Sequence, residues 1–143
     1  MIIRIDHPDI SGNEKTYLTT ASTVGASTLT VQNIEGFYKG EFLVLGKLGE
    51  EQTELVRIKS DLTPTGSTIT LNAVTLFAHP INTPVTYIPF NRVVLYSSSS
   101  KNGTYTQVGS SVAIEVDQDF TEINHTTGAT TTWYKTRFYN SEV

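Results

Sequence analysis

The chain has 143 residues, of which 38% are hydrophobic and 17% are charged, and its net charge is −4 at pH 7. This length indicates one domain or two small modules. Cysteine is absent, which excludes disulfides, thiolate metal sites and cysteine nucleophiles. The ten Lys and Arg residues are scattered from Arg4 to Arg137 without a basic stripe, so nucleic acid is not an expected partner.

The first ten residues, MIIRIDHPDI, contain acidic residues and a histidine where a signal peptide needs an apolar segment. No run of the sequence approaches 18 apolar residues, the length of a membrane span. We therefore expect no signal peptide, no membrane partner and synthesis in the cytoplasm.

The residues up to about 88 are predicted to form short β-strands. No segment repeats apolar residues at helical spacing over three turns, whereas alternation with a period of two is frequent and Thr is abundant. Gly, Pro, Asn or Asp bounds each apolar segment. The predicted strands lie near Leu29 and Val31, at Phe42–Leu45, Leu55–Lys59, Ile69–Leu71 and Val85–Ile88. We expect an all-β fold in which residues 1–88 form a small N-terminal β-barrel-like module.

A weak internal repeat lies in this module. Residues 27–31, STLTV, match residues 67–71, STITL, and an aromatic residue follows each copy at Phe37 and Phe77. Two interpretations remain open: two similar β-units paired in a small barrel, or a chance recurrence in a Thr-rich chain. Two copies are too few for a solenoid.

A module boundary is predicted near Pro89, and residues 89–143 offer about four strand signals. A complete sandwich of the immunoglobulin type needs about seven strands, so this C-terminal module is a partial β-sandwich. The missing strands must come from the N-terminal part of the chain, from a partner chain or from a later segment. We therefore expect a homo-oligomer or a subunit docked on a larger assembly.

The C-terminal module resembles the later strands of fibronectin type III-like or immunoglobulin-like modules. The resemblance is carried by Val93–Tyr96, by Gly103–Val108 and by Tyr134–Asn140, with Tyr134 where a corner tyrosine would lie. It covers about 50 residues. The resemblance implies a sandwich-like fold for this module.

The N-terminal segment resembles β-modules of virion proteins from tailed bacteriophages, in which a similar sequence pattern precedes a sandwich-like module. The residues that carry the resemblance are Leu29, Val31, Gly36-Phe37, Gly40, Leu43–Gly46, Gly49-Glu50 and Glu54–Ile58. It implies a structural role in the capsid decoration, neck or tail, with other copies of the chain and other virion proteins as partners. The expected location is then the virion.

No constellation of catalytic or metal-binding residues is visible. His7, His79 and His125 are far apart in sequence, and a hydrogen-bonded loop histidine is the expected role of each. Glu115, Asp117, Asp119 and Glu122 form the densest acidic cluster. If residues 115–119 are a strand, three of these carboxylates share a face and calcium binding is an alternative, but a solvated surface is expected. Glu50, Glu51 and Glu54 form an acidic start to the following strand, which would guard a sheet edge.

The late aromatic residues are the candidate functional side chains. Trp133-Tyr134 and Phe138-Tyr139 are adjacent pairs, so in a strand one ring of each pair faces the core and its neighbour faces outward. Because aromatic residues are enriched at interface cores, all four are predicted interface residues, and a sugar-stacking surface is the alternative. The sequence thus predicts a non-enzymatic virion component without cofactor or metal; a carbohydrate-binding or adhesion module is the rival, and a hydrolase is the least supported class.

Overall fold

The computed structural model describes residues 1–143, which form eleven β-strands and no helix. The all-β prediction is confirmed. No helix that is long and apolar enough for a membrane span is present. The strands are β1 (Ile2–Asp6), β2 (Lys15–Tyr17), β3 (Thr28–Thr30), β4 (Phe42–Leu45), β5 (Glu54–Arg57), β6 (Thr68–Thr70), β7 (Pro84–Ile88), β8 (Arg92–Ser98), β9 (Thr106–Ala113), β10 (Phe120–Asn124) and β11 (Trp133–Tyr139).

The chain divides into two compact units. The first consists of residues 8–89 with 116–118 and is called the repeat unit below. The second consists of residues 1–7, 90–115 and 119–143 and is called the terminal unit. The chain passes from the repeat unit into the terminal unit between Pro89 and Phe90, and strand β1 belongs to the terminal unit.

The repeat unit contains a four-stranded antiparallel sheet in the order β2-β7-β4-β5 and a two-stranded sheet, β3-β6. Strand β4 is central, and all four of its residues are buried, which explains why its sequence is continuously apolar rather than alternating. No sheet of the molecule closes into a barrel. In place of the expected barrel-like arrangement, this part of the chain forms open sheets around a shared core.

The two copies of the internal repeat pair with each other. Strand β3 from the first copy is antiparallel to β6 from the second, with Leu29 opposite Ile69. The flanking hydrogen bonds match: Val31 N–H donates to Ser67 O, and Leu71 N–H donates to Ser27 O, both at 2.8 Å. The bridge between Leu18 and Val31 recurs at the equivalent positions of the second copy, between Ile58 and Leu71. The pairing therefore has an approximate twofold symmetry that relates each residue of the first copy to its equivalent in the second.

The core of the repeat unit has the same symmetry. Leu45 of β4 lies opposite Val85 of β7, and these residues also occupy equivalent positions of the two copies, so the twofold relation passes through this pair as well as through Leu29 and Ile69. The related core pairs, all buried, are Leu18 and Ile58, Leu29 and Ile69, Val31 and Leu71, and Leu45 and Val85. Burying them is the main apolar contribution to the stability of the unit.

The terminal unit contains a three-stranded antiparallel sheet in the order β11-β8-β9 and a two-stranded antiparallel sheet formed by β1 and β10. In β1–β10, Ile3 lies opposite Ile123 and Ile5 lies opposite Thr121. The pairing of β1 with β10 therefore places the N-terminal end of the chain in the terminal unit. The long loop after Ser98 separates β8 from β9.

The structure departs from the sequence-based expectations in three strands and one loop. Strands β1, β2 and β10 were not predicted; β2 has only three residues and carries a weak pattern. Residues 115–119 are not a strand, because Val116-Asp117 form a turn between β9 and β10. The expectation that alternating carboxylates share one strand face is therefore wrong.

The symmetry of the core predicts equal sensitivity at Leu29 and Ile69. Replacing either residue by Ala removes a fully buried side chain and should lower the free energy of unfolding by about 3 kcal/mol. The exposed neighbour Thr28 provides the control, and Thr28→Ala should change stability by less than about 0.5 kcal/mol. Urea denaturation followed by circular dichroism measures all three variants; losses below about 1 kcal/mol at both core positions would contradict the proposed core.

Candidate interface on the terminal unit

Strand β11 is an edge strand of the three-stranded sheet. It pairs with β8 along its whole length, from Trp133 opposite Ser98 to Tyr139 opposite Arg92, and no strand lies on its other side. None of its seven residues is buried. The outward backbone groups of such an edge can accept another strand.

One face of β11 packs against the terminal unit itself. The Phe138 ring meets the buried Phe90 ring with the centroids 4.9 Å apart. The Tyr134 hydroxyl hydrogen-bonds to Nδ1 of His125 at 2.9 Å. Tyr134 and Phe138 therefore act in packing, as the alternation of the strand predicts for inward rings.

The opposite face of β11 carries Trp133 and Tyr139. Trp133 is 46% exposed, and Lys101 lies 5.9 Å from its ring. Tyr139 is half-buried, since its hydroxyl donates to Ser111 Oγ at 2.7 Å and the Arg137 guanidinium lies 5.0 Å from its ring. Of the four aromatic residues singled out in the sequence, Trp133 offers the largest exposed fraction for a partner.

Cationic side chains accompany these rings. Lys135 and Arg137 are exposed on the face of Trp133 and Tyr139, and the Lys135 ammonium lies 4.2 Å from the centre of the Tyr105 ring. Arg92, opposite Tyr139, donates to Ser111. Strands β8, β9 and β11 contain no Asp or Glu. We call this surface the cationic face; it consists of Arg92, Tyr96, Lys101, Tyr105, Trp133, Lys135, Arg137 and Tyr139.

The aromatic residues of this face stand out in the sequence, but its cations do not, because the ten basic residues are scattered along the chain. The strand pairing brings Arg92 next to β11, and the loop after β8 brings Lys101 beside Trp133. Sequence spacing alone does not show such clustering, because the pairing partner of β11 has to be known first.

The acidic cluster does not form a metal site. No group of three or more His, Asp or Glu side chains in the chain is placed to hold a metal ion. Glu122 instead forms an exposed ion pair with Arg4, with 3.7 Å between their nearest charged atoms, across the β1–β10 pairing. Such an exposed pair contributes little to stability.

A buried polar pair lies in the repeat unit. Glu54 and His79 are each 5% exposed, and Oε2 of Glu54 lies 2.8 Å from Nε2 of His79. The same carboxylate accepts hydrogen bonds from the backbone N–H groups of Leu76 and Phe77, at 2.8 and 3.0 Å. The expectation that Glu54 is an exposed guard of the sheet edge is therefore wrong, because its carboxylate fastens the loop after β6 to β5.

Ser22 lies beside this pair, and its backbone exchanges two hydrogen bonds with that of His79. The Ser22 hydroxyl is buried and has no hydrogen-bond partner. No hydrogen bond joins the Ser22 hydroxyl to the His79 ring.

The remaining histidines occupy the expected role. Nε2 of His7 lies 2.7 Å from the Thr121 hydroxyl, and both ring nitrogens of His125 have hydroxyl partners, Tyr134 and Thr127. Each histidine is hydrogen-bonded within its own unit, and no two of them come together in a metal-binding group.

Three groups, Asp9, Glu41 and Tyr87, have perturbed pKa values. Burial raises the pKa of Glu41 in spite of a hydrogen bond from the backbone N–H of Tyr38. The pKa of Tyr87 is also raised, first by burial and then by the Glu41 carboxylate. The hydrogen bonds from Ser11 lower the pKa of the exposed Asp9. Among these three groups only Glu41 acts on another, Tyr87, so these shifts do not define a further cluster.

In comparisons with known proteins, no family model, no curated protein and no solved structure matches the chain.

The two faces of β11 predict different effects of truncation. Phe138→Ala removes the ring that packs on Phe90 and should lower the free energy of unfolding by about 2 kcal/mol. Trp133→Ala removes an exposed ring and should change it by less than about 0.5 kcal/mol. Thermal unfolding of both variants provides the measurement. A larger loss for Trp133→Ala than for Phe138→Ala would contradict the assignment of the faces.

The Glu54 carboxylate is predicted to be essential for the loop after β6. In Glu54→Gln, the amide can no longer accept from all three N–H donors, so the free energy of unfolding should fall by about 3 kcal/mol. Glu51→Gln, a change at an exposed neighbour, is the matched control and should be nearly neutral. Hydrogen exchange should also show faster exchange of the Leu76 and Phe77 amides in Glu54→Gln alone; unchanged exchange would refute the assigned role.

Proposed function

We propose that the chain is a non-enzymatic structural subunit of a tailed-bacteriophage virion, in the capsid decoration, neck or tail, that strengthens the particle through β-rich contacts between subunits. The observation that carries the proposal is the open edge of β11, whose seven residues are unburied and whose outer face carries aromatic and cationic side chains. A half-exposed ring beside cations is typical of protein interfaces, where Trp, Tyr and Arg are enriched.

The virion assignment rests on the sequence resemblance of the N-terminal segment. The residues that carry this resemblance have structural roles in the fold. Leu29 and Val31 are core residues, and the glycines at positions 36, 40, 46 and 49 all have positive φ. At Gly46, with φ at 115°, an added Cβ would lie 2.7 Å from the Thr53 hydroxyl, so only glycine fits the turn. The resemblance therefore involves residues with structural roles in this fold, and this supports the virion proposal.

A carbohydrate-binding module is the second candidate, and the exposed Trp133 is the observation that favours it. Sugar stacking needs a free aromatic face, however, and cations of the chain itself lie near the rings of Trp133, Tyr105 and Tyr139. These cation–π contacts compete with a sugar for the same ring faces. A protein interface therefore fits the geometry better.

The virion role predicts that the chain is a component of purified particles. Particles released from cells that carry the encoding gene should contain the chain at a fixed copy number, measured by quantitative mass spectrometry after density-gradient purification. Particles made without the gene should lack part of their structure in electron micrographs or lose integrity on heating.

Absence of the chain from intact particles would overturn the proposal. Binding of oligosaccharides on a glycan array, lost in Trp133→Ala, would favour the carbohydrate-binding candidate instead.

A further inference from the structure

Two loops of the repeat unit present an uncharged apolar surface. Residues 19–26 and residues 72–83 contain no Asp, Glu, Lys or Arg. Five large apolar side chains of these loops are exposed, with Leu76 the most open at 69%. Exposed apolar residues grouped in this way are typical of interaction sites. We call this surface the apolar platform; it consists of Val24, Val74, Leu76, Phe77 and Ile81.

Hydrogen bonds hold the two loops of the platform together. The Gly25 N–H donates to Thr75 O, the Thr75 N–H donates to Ala26 O, and the Thr75 hydroxyl donates to Thr23 O, at 2.8 to 2.9 Å. The buried Glu54 carboxylate also accepts hydrogen bonds from the backbone N–H groups of Leu76 and Phe77. The platform is therefore preorganised, which lowers the entropy cost of binding a partner.

The internal repeat provides a comparison for the platform. The segments equivalent to its loops in the other copy, residues 59–66 and 32–43, carry Lys59, Asp61, Glu35, Lys39 and Glu41. The aromatic residue after the first copy, Phe37, is 3% exposed, whereas its counterpart Phe77 is 37% exposed. In one copy the equivalent loops are charged and the aromatic ring, Phe37, is buried. The fold therefore does not require the apolar surface formed by the platform loops in the other copy.

Acidic side chains lie close to the platform. The loop between β4 and β5 carries the exposed Glu50 and Glu51, and these residues line one cavity of about 190 Å³ together with Ala78 and Pro80 of the platform loop. Five of the ten Lys and Arg residues but nine of the 14 Asp and Glu residues belong to the repeat unit. The net charge of −4 therefore belongs entirely to the repeat unit.

We propose that the apolar platform, with Glu50 and Glu51 at its rim, docks on the cationic face of a second copy of this chain. The inference rests on the proposed function, because it names the contact through which such a subunit assembles. The cationic face complements the platform: its half-exposed Trp133 ring covers apolar side chains, and the exposed Lys135 and Arg137 pair with the two carboxylates. An apolar centre with complementary charges at its rim is the usual anatomy of a specific interface.

This contact joins two different surfaces and is therefore heterologous. Each copy keeps a free platform or a free cationic face after one contact forms, so the association continues into a ring or a filament. Both are architectures that a repeated structural subunit can use.

Charge reversal tests the contact directly. We expect the wild-type chain to self-associate in analytical ultracentrifugation, more weakly at about 1 M than at about 0.1 M salt because exposed charges are screened. The double variant Lys135→Glu/Arg137→Glu and the double variant Glu50→Lys/Glu51→Lys should each associate at least about tenfold more weakly. A 1:1 mixture of the two variants should recover the association, since each reversed surface then meets an opposite charge.

A matched control separates this contact from an effect of net charge. Lys15→Glu/Lys39→Glu changes the net charge by the same amount as Lys135→Glu/Arg137→Glu but lies on neither surface, and it should associate like the wild type. Circular dichroism should show every variant folded. The docking inference would be overturned if both charge-reversal variants associated as strongly as the wild type. It would also be overturned if the 1:1 mixture of the two variants associated no more strongly than either variant alone.

The proposed function has a separate readout, since detection of the chain in particles does not depend on this contact. A chain that is found in particles but stays monomeric alone at low salt refutes the docking inference and leaves the virion role standing. Rescue by the mixture, with no chain in any particle, supports the contact and refutes the virion role.

Discussion

The pairing of the two repeat copies is the constraint on which the repeat unit depends. Leu29 with Ile69 and Leu45 with Val85 lie on the same approximate twofold relation, so each copy completes the sheets of the other. Each copy supplies only three short strands, β2–β4 in the first and β5–β7 in the second. Three such strands alone would leave one side of the core open. This mutual completion explains why a chain with only 38% hydrophobic residues has a continuous buried core, with eleven fully or nearly fully buried members.

Symmetry in the core has left the loops free to differ. Four pairs of core positions keep apolar residues in both copies, whereas the loops of one copy are charged and those of the other are uncharged and apolar. Packing restricts what a buried position can hold, but an exposed loop has no such restriction. The Phe77 backbone N–H donates to the buried Glu54 carboxylate and its ring is 37% exposed, whereas Phe37 is 3% exposed.

The sequence predicted the strands whose apolar residues alternate or run continuously, such as β4 and β7, because burial imposes those patterns directly. It did not predict β1, β2 or β10. For β1 and β10 the missing information was the partner, because a strand such as Ile2–Asp6 is stabilised by a segment close to the other end of the chain. The same limit hid the cationic face, whose members meet only when β8, β9 and β11 pair. It also hid the role of Glu54, whose backbone donors lie beyond the next strand of the sequence.

The pairing of β1 with β10 also sets an order for folding during synthesis. Its partners lie near opposite ends of the chain, from Asp6 opposite Phe120 to Ile2 opposite Asn124, whereas most of the repeat unit is one continuous segment. The repeat unit can therefore form on the ribosome while β1 waits for its partner to emerge. During that interval the isoleucines of β1 are open to foreign strands, and the alternating Arg4 and Asp6 are the charges that oppose such mispairing.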